Sequence, residues 1–555
     1  MGTQWRIAAW LGLACILSVA ACNGNSDHAS SSGTGSTSGP GGGSGSGAGS
    51  SSPLDVATYH YDTSRTGTNS QETSLTLSNV NSVTFGKQGE YTVDAAVDAQ
   101  PLYLSQVPMS ASSTHNVLYV ATENDTVYAL DADSISGTTA TVLWKVNLAP
   151  SGEAAVPLAN LSCGNNALSG VMGTPVIDRG RNALYVVAFT GDAAGNFYFR
   201  LHALNLVSGA ELFGGPRLIT ASFPGTGGNV QGGNVVFSAA VQQQRPALLE
   251  GNNQIYISWG GRNGDCGNYS SWVMAYGADT LAQTSVIDLV PKDYGAGIWM
   301  SGAGPAMDAS KDVYVVTGNA FVQNGDGTPS TGSYANSVVR LSGTSTLQVK
   351  DYFAPSDDVA LNNGDVDLGS GGFLALPDQT DSSGTVHHLG VVAGKDSNIY
   401  VFNRDLLGGY STASDANLQV ITGQLGGNEF HSIPAYFNGF VYFAIGGDAL
   451  KSYAITASAT LAGTPSAQSA QSFGEASPVV SANGTSNGIV WVVDGGAAVL
   501  YAFKAADASL LYSSNQASGG RDNFSASSRS RTPVVTNGHA YVGTSTSVVR
   551  FGLLP

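Results

Sequence analysis

Only 11% of the 555 residues are charged, so each carboxylate, lysine or arginine set in a loop is a candidate for chemistry. Asp357, Asp358, Asp365 and Asp367 crowd the stretch APSDDVALNNGDVDLGSGG. Carboxylates so spaced suit either Ca²⁺ or the capping of turns, without the twelve-residue spacing of an EF-hand. Lys395, in VAGKDSNIYVF, is either a solvated turn residue or a cation for charge developing on a bound molecule. Trp299, in GIWMSGAGPAMD, is either packed between sheets or an aromatic face on which a flat conjugated ring stacks. Glu429 with His431, in GGNEFHSIP, and Arg521 with Asp522, in GGRDNFSASSRSR, either join Lys395 around a charged small molecule or pair among themselves.

Compartment decides what the cysteines do. Arg6 precedes an apolar run over residues 7–21 that is too short to cross a bilayer, which predicts an export signal. The run ends Val19-Ala20-Ala21-Cys22, resembling a bacterial lipobox, so Cys22 is the expected lipidated N-terminus of the mature chain. An ordinary secretory signal with an incidental cysteine is the alternative. Asn23 after it resembles default sorting to the outer membrane, so the expected location is the cell envelope, facing the periplasm or the surface. Beyond the signal and Cys22 the chain has only Cys163 and Cys266, expected to pair as a disulfide in an oxidising compartment. There is no CxxCH, so no covalent haem c is expected. With a net charge of −17 and no Lys/Arg run, nucleic acid is excluded as an expected partner.

These side chains need a scaffold. Residues 1–22 read as signal and lipobox, residues 23–53 as a Gly/Ser tether, and residues 54–555 as one folded domain. Within it an apolar run, a turn, a Tyr- or Leu-rich run and a polar step recur. The copies include NVLYVATENDTVYALDADS with LWKVNL, ALYVVAFTG with FRLHALNLVSG, and QIYISWGG with SWVMAYGADTL. Later ones are DVYVVTGNAF with NSVVRLSGTSTL, LGVVAGKDSNIYVFNRD, VYFAIGGDALKSYAI, IVWVVDGGAAVLYAFKAADASLLY and an incomplete AYVGTSTSVVRFGLL. The expected fold is all-β, a single propeller of about eight four-stranded antiparallel blades, whose last blade is closed by the N-terminal strand VTFGKQGEYTV. In such blades the loops after the second and fourth strands share one face, which collects the long loops 148–172, 218–236, 259–271, 319–335, 353–372, 421–432 and 515–532.

The units TVYALDADS with LWKV, and GKDSNIYVFNRD, resemble the repeat of the quinoprotein family, which binds pyrroloquinoline quinone (PQQ), and of related propellers that bind no quinone. The resemblance covers nearly all of residues 54–555 and implies site roles. GIWMSGAGPAMD is similar to the place where those enzymes lay a tryptophan beneath the quinone, which implies Trp299. VYVVTGNAF resembles the strand end whose Asn binds Ca²⁺, which implies Asn319; from its residues alone it is equally a turn amide. The loop GGRNGDCGNYSS offers Asp265 where the enzymes carry a Glu ligand, and Lys395 matches a cation that reaches the quinone oxygens. PQQ and Ca²⁺ are the cofactors this resemblance implies. The departure is the base: the enzymes place an Asp three residues before a Tyr in a stretch like TGSYANSVVRL, where this chain has Thr331, which is no base at neutral pH. Asp326, earlier in that loop, is the substitute on offer. The adjacent-cysteine ring of several such enzymes is also missing.

Three functions follow from these residues. The leading one is a monomeric, envelope-anchored propeller that binds a small molecule, cofactor or protein ligand in its axial funnel, touching the membrane only through its lipid. The second is a PQQ- and Ca²⁺-dependent dehydrogenase of alcohols or sugars. The third is an outer-membrane assembly scaffold, resembling the propeller lipoprotein of the β-barrel assembly machine.

Overall fold

A computed structural model describes residues 54–136, 139–344, 346–426, 431–526 and 531–555, together with Phe430. The signal, the lipobox with Cys22, the tether and Glu429 lie outside the described residues. The fold is all-β, built of antiparallel four-stranded sheets formed by consecutive strands. The first joins Leu102–Pro108, Thr114–Ala121, Thr126–Ser136 and Thr139–Asn147. The second is built on Val176–Asp178, Ala183–Asp192, Phe197–Asn205 and Arg217–Leu218, and Glu153–Pro157 also pairs with the long strand Ala183–Asp192. Sheets of the same order begin at Leu249, Ala306, Leu374, Ala435 and Val479. A final sheet joins Val534–Thr536, His539–Gly543 and Ser547–Leu553, and takes Phe85–Thr92 as its outer strand. Among the described residues no helix is long and apolar enough to cross a membrane.

Local sequence explains the hairpins. Asn252-Asn253 joins the first two strands of the third sheet with positive φ at both residues (55° and 58°), the geometry of a type I′ turn that matches strand twist. Asn537-Gly538 makes the same connection in the last sheet, again with both φ positive. Such two-residue turns fix register, and a one-residue slip would turn every buried side chain outward.

Burial does not alternate with exposure along the second strands. Val313–Val316 and Leu389–Ala393 are buried at every position, because each sheet lies against a neighbour on both faces. Hydrophobic clusters link the sheets in succession: one combines Leu104 with Val186, the next Val187 with Ile257, and a later one Trp491 with Val549. A further cluster joins Tyr91 and Val548 of the last sheet to Leu118 and Val120 of the first.

The sequence marks the stretch 54–72 only as the start of the folded domain. Its backbone or side chains bond to the first strand of every sheet or to the residue just before it. Val56 exchanges backbone hydrogen bonds with Tyr103, and the N–H groups of Ile177, Met307, Ala375, Tyr436 and Val480 bond to the carbonyls of Ala57, Thr63, Ser64, Thr66 and Gly67. Arg65, fully buried, donates to the carbonyls of Pro305, Leu248 and Tyr59 and to the Thr58 hydroxyl. The Tyr61 hydroxyl accepts the N–H of Val535. One short segment can touch all of these only if the first strands converge around it, so residues 54–72 form an axial plug. Paired backbone and a guanidinium with four acceptors make its burial tolerable.

Candidate functional site

A cavity of about 350 Å³ is lined by Arg245, Arg262, Asn263, Gly264, Asp265, Trp299, Ser301, Asp365, Asp367, Ser370, Lys395, His431 and Glu475. Every one of these lies in a loop after the second or fourth strand of a sheet, so those loops do converge. Loops on a stiff sheet array can bring residues distant in sequence to one place.

Trp299 forms the floor. Its indole N–H donates to the Gly261 carbonyl at 3.0 Å, and its ring meets Tyr269 edge-on with centroids 6.1 Å apart. A Cβ at Gly260 would come within 2.7 Å of the ring, and one at Gly297 or Gly318 would overlap it. Three glycines thus pack tightly against the indole while Trp299 stays partly exposed and lines the cavity. The position is neither a core tryptophan nor a free surface one.

Lys395 stands on the wall. Its ammonium lies 2.7 Å from Asp367 Oδ2 and 3.3 Å from Asp365 Oδ2, and also bonds to the Asp365 carbonyl. Asp367 Oδ1 accepts the backbone N–H of Asn319 at 2.8 Å. Burial pushes the Asp367 carboxyl up to about 6, against the opposing pull of Lys395. The acidic stretch that suggested either Ca²⁺ or turn caps therefore divides. Asp357 and Asp358 open a short helix, Asp358–Gly364, while Asp365 and Asp367 clasp a lysine. His431 pairs with Glu475 at 3.2 Å on the same wall.

Asp265 lines the cavity and accepts the Tyr269 hydroxyl at 2.7 Å; burial raises its carboxyl above the usual range. Next to it Cys266 is bonded to Cys163 with Cα atoms 6.0 Å apart, the pairing expected from the sequence. The bridge ties the loop carrying Gly264 and Asp265 to the loop entering the second sheet.

Asn319 lies behind the wall and is absent from the lining, although its side-chain oxygen is buried with no donor among the described residues. That orphaned amide oxygen is a hard ligand without a partner. Among the described residues, no group of three or more His, Cys, Asp or Glu side chains converges as a metal cage. Asp326 is exposed and caps its own turn, accepting the N–H and hydroxyl of Thr328, which holds its carboxyl low. Neither it nor Thr331 lines the cavity. Arg521 and Asp522 are absent from the cavity lining; they pair with each other at 2.7 Å, the second of the two expected arrangements, and secure the outer strand of the last sheet: Arg521 donates to the Ser82 and Phe85 carbonyls, and Asp522 accepts the Lys87 N–H and the Tyr512 hydroxyl. Their segment packs against the chain's early strand, a long-range contact that local sequence does not encode.

Arg262 went unnoticed in the sequence. It lines the cavity yet is only 1% exposed, its guanidinium 4.6 Å from the Phe189 ring centre. The signal available was an arginine inside a Gly-rich loop, in a chain with only 22 basic residues.

No known protein family matches the chain, and no curated protein does. Solved structures do. Quinohemoprotein alcohol dehydrogenase from Comamonas testosteroni is 15% identical at a TM-score of 0.59, over 90% of this chain and 80% of that one. A europium-containing methanol dehydrogenase is 12% identical at a TM-score of 0.59, over 91% of this chain and 98% of that one. BamB from Moraxella catarrhalis, 11% identical over 84% of this chain and 99% of that one, reaches a TM-score of 0.46, too slight a likeness to carry an argument. The chain has the β-propeller fold of these quinone-dependent dehydrogenases; identities this low speak to fold alone.

Proposed function

We propose that this chain is an exported, envelope-anchored propeller of eight blades, its last blade closed by Phe85–Thr92, that binds a flat conjugated small molecule on Trp299. The observation that carries the reading is a partly exposed indole that is packed against Gly260, Gly297 and Gly318 and lines the cavity. A flat ring gains most from a rigid aromatic floor, because little conformational freedom is lost on binding. The residues fit PQQ in kind: an indole to stack on, a lysine at the rim, and a cavity on the scale of small-molecule sites. Catalysis is not part of the reading, since Thr331 stands where a carboxylate base would serve and Asp326 is spent on its own turn.

The test is a titration of purified protein with PQQ, with and without Ca²⁺, followed by tryptophan emission and equilibrium dialysis. Saturable quenching that is lost in Trp299→Ala is the expected result. Absence of binding overturns it.

One observation favours a second reading, a Ca²⁺-dependent dehydrogenase: the orphaned Asn319 oxygen, which with Asp265 would hold a Ca²⁺ beside the quinone. PQQ, when bound, would supply the two-electron acceptor chemistry. Lys395 would then stabilise negative charge on it, and Asp367 would hold Lys395 in place. Dye reduction with simple alcohols or aldoses, dependent on PQQ and Ca²⁺, would select this reading over binding alone.

A further inference from the structure

Outside the cavity, buried polar atoms without a hydrogen-bond partner collect at the joint between the last sheet and the first. Tyr541 lies directly across from Arg550 in the last sheet, and His539 stands two residues before Tyr541, so the three side chains leave the same face. That face looks onto the first sheet. The Tyr541 and Tyr103 rings have centres 6.1 Å apart, and Arg550 Nη1 donates to the Ala132 carbonyl at 2.6 Å, as the Tyr91 hydroxyl does at 2.9 Å. Arg550 Nε, the Tyr541 hydroxyl and His539 Nδ1 are buried with no partner among the described residues. Arg550 is 8% exposed, and no carboxylate among the described residues pairs with it. Asp131 and Asp133, on either side of Ala132, are engaged by His115 at 3.0 Å and Asn116 at 2.9 Å. By contrast, Arg179, Arg181, Arg200, Arg340 and Arg404 each pair with a carboxylate. Arg65 and Arg262 pair with none among the described residues, but Arg65 has four acceptors, and Arg262 has two carbonyls and the face of Phe189.

We propose that this joint binds a small inorganic anion, of the size and charge of chloride, held by Arg550 Nε, the Tyr541 hydroxyl and His539 Nδ1. All three atoms can donate. A guanidinium has only donors. Burial lowers the His539 imidazole to about 4 and raises the Tyr541 hydroxyl well above its ordinary value, so at neutral pH each is uncharged and has one proton to give. A water would satisfy the donors but leave the guanidinium charge unopposed, and an uncompensated buried charge is costly. Closure from solvent favours a small ion over an organic one. The Gln88 amide covers Gly552, which lies across from His539, and its Oε1 also lacks a donor among the described residues. A water between that oxygen and the anion serves both. Because the three donors come together only when the last sheet docks on the first, the anion binds the folded chain and stabilises it by mass action.

The test is the melting temperature of the full chain, by calorimetry, in sodium chloride against sodium gluconate at equal ionic strength, since gluconate is too large to enter and screens surface charge alike. Over a roughly hundredfold rise in concentration, chloride is expected to raise the melting temperature about 2 °C or more beyond gluconate. Arg550→Met should abolish the difference between the two salts. Tyr541→Phe, which keeps the ring and removes one donor, should shrink it. Crystals grown in bromide should show an anomalous peak between Arg550, Tyr541 and His539. Equal melting temperatures in the two salts, a chloride effect undiminished in both variants, or no bromide at the joint would each overturn the proposal. The wild-type comparison and the bromide peak decide even if neither variant folds.

Discussion

Lys395 Nζ and Asp367 Oδ2 lie 2.7 Å apart on the cavity wall, and the other oxygen of Asp367 is held by the Asn319 amide at 2.8 Å. A single carboxylate thus couples the lysine to the strand end that carries the orphaned amide oxygen. Six of the positions singled out by sequence, Asp265, Trp299, Asp365, Asp367, Lys395 and His431, meet in one cavity, and Asn319 is tied to it through Asp367.

The Asp367 carboxyl titrates near 6, above its unfolded value of about 3.9. Between those values the folded chain binds more protons than the unfolded one, so this residue makes stability fall as pH rises through roughly 4 to 6. Asp367→Asn removes that term. The melting temperature of the variant should therefore drop less than that of the wild type between pH 5 and pH 7.5, measured by calorimetry. Equal pH slopes would reject the assignment.

The indole's seat should be sensitive to one methyl group. Gly297→Ala places a Cβ in the space of the Trp299 ring, which must tilt or lift. Overpacking of this kind costs about 1–3 kcal/mol. The expected outcome is a modestly lower melting temperature together with a loss of PQQ affinity of about tenfold or more, read by emission quenching. Unchanged affinity would mean that the floor of the cavity is not where the ligand stacks.

Reducing the Cys163–Cys266 bridge frees a loop of 103 residues in the unfolded chain. The chain-entropy argument sets the stabilisation at about 4.7 kcal/mol, at the upper end of the roughly 2–5 kcal/mol that removing a native disulfide costs. Cys163→Ser with Cys266→Ser should lower the denaturation midpoint accordingly, and ligand affinity should fall as well, because Asp265 and Gly264 sit on the tethered loop. A midpoint unmoved by reductant would contradict this.

Arg65 makes the axial plug testable. Arg65→Met leaves the Pro305, Leu248 and Tyr59 carbonyls and the Thr58 hydroxyl without their donor, at a cost of about 3–5 kcal/mol. Hydrogen exchange should show lost protection at Ile177, Met307, Ala375 and Val480 together, since all four amides bond to the plug. Loss confined to one sheet would show that the plug does not act as a unit.

Much of this was legible in the chain itself. Apolar runs of four to ten residues punctuated by Asn-Gly and Asn-Asn determine four-stranded antiparallel sheets, because strand period and turn type are local properties. The same runs predict which loops share a face, and hence that Trp299 and Lys395 belong to one surface. Two cysteines beyond a signal-like start suffice to anticipate their bond. Tertiary structure alone decided the rest. That Asp365 and Asp367 clasp Lys395 while Asp357 and Asp358 begin a helix depends on a loop folding back across the cavity. That Arg521 locks an early strand, that Arg262 is buried without a counter-charge, and that residues 54–72 run through the middle of the sheets all depend on contacts between segments far apart in the chain. Local propensity is silent on such contacts, because their energy comes from burial and from the donors and acceptors that only the assembled fold brings within reach.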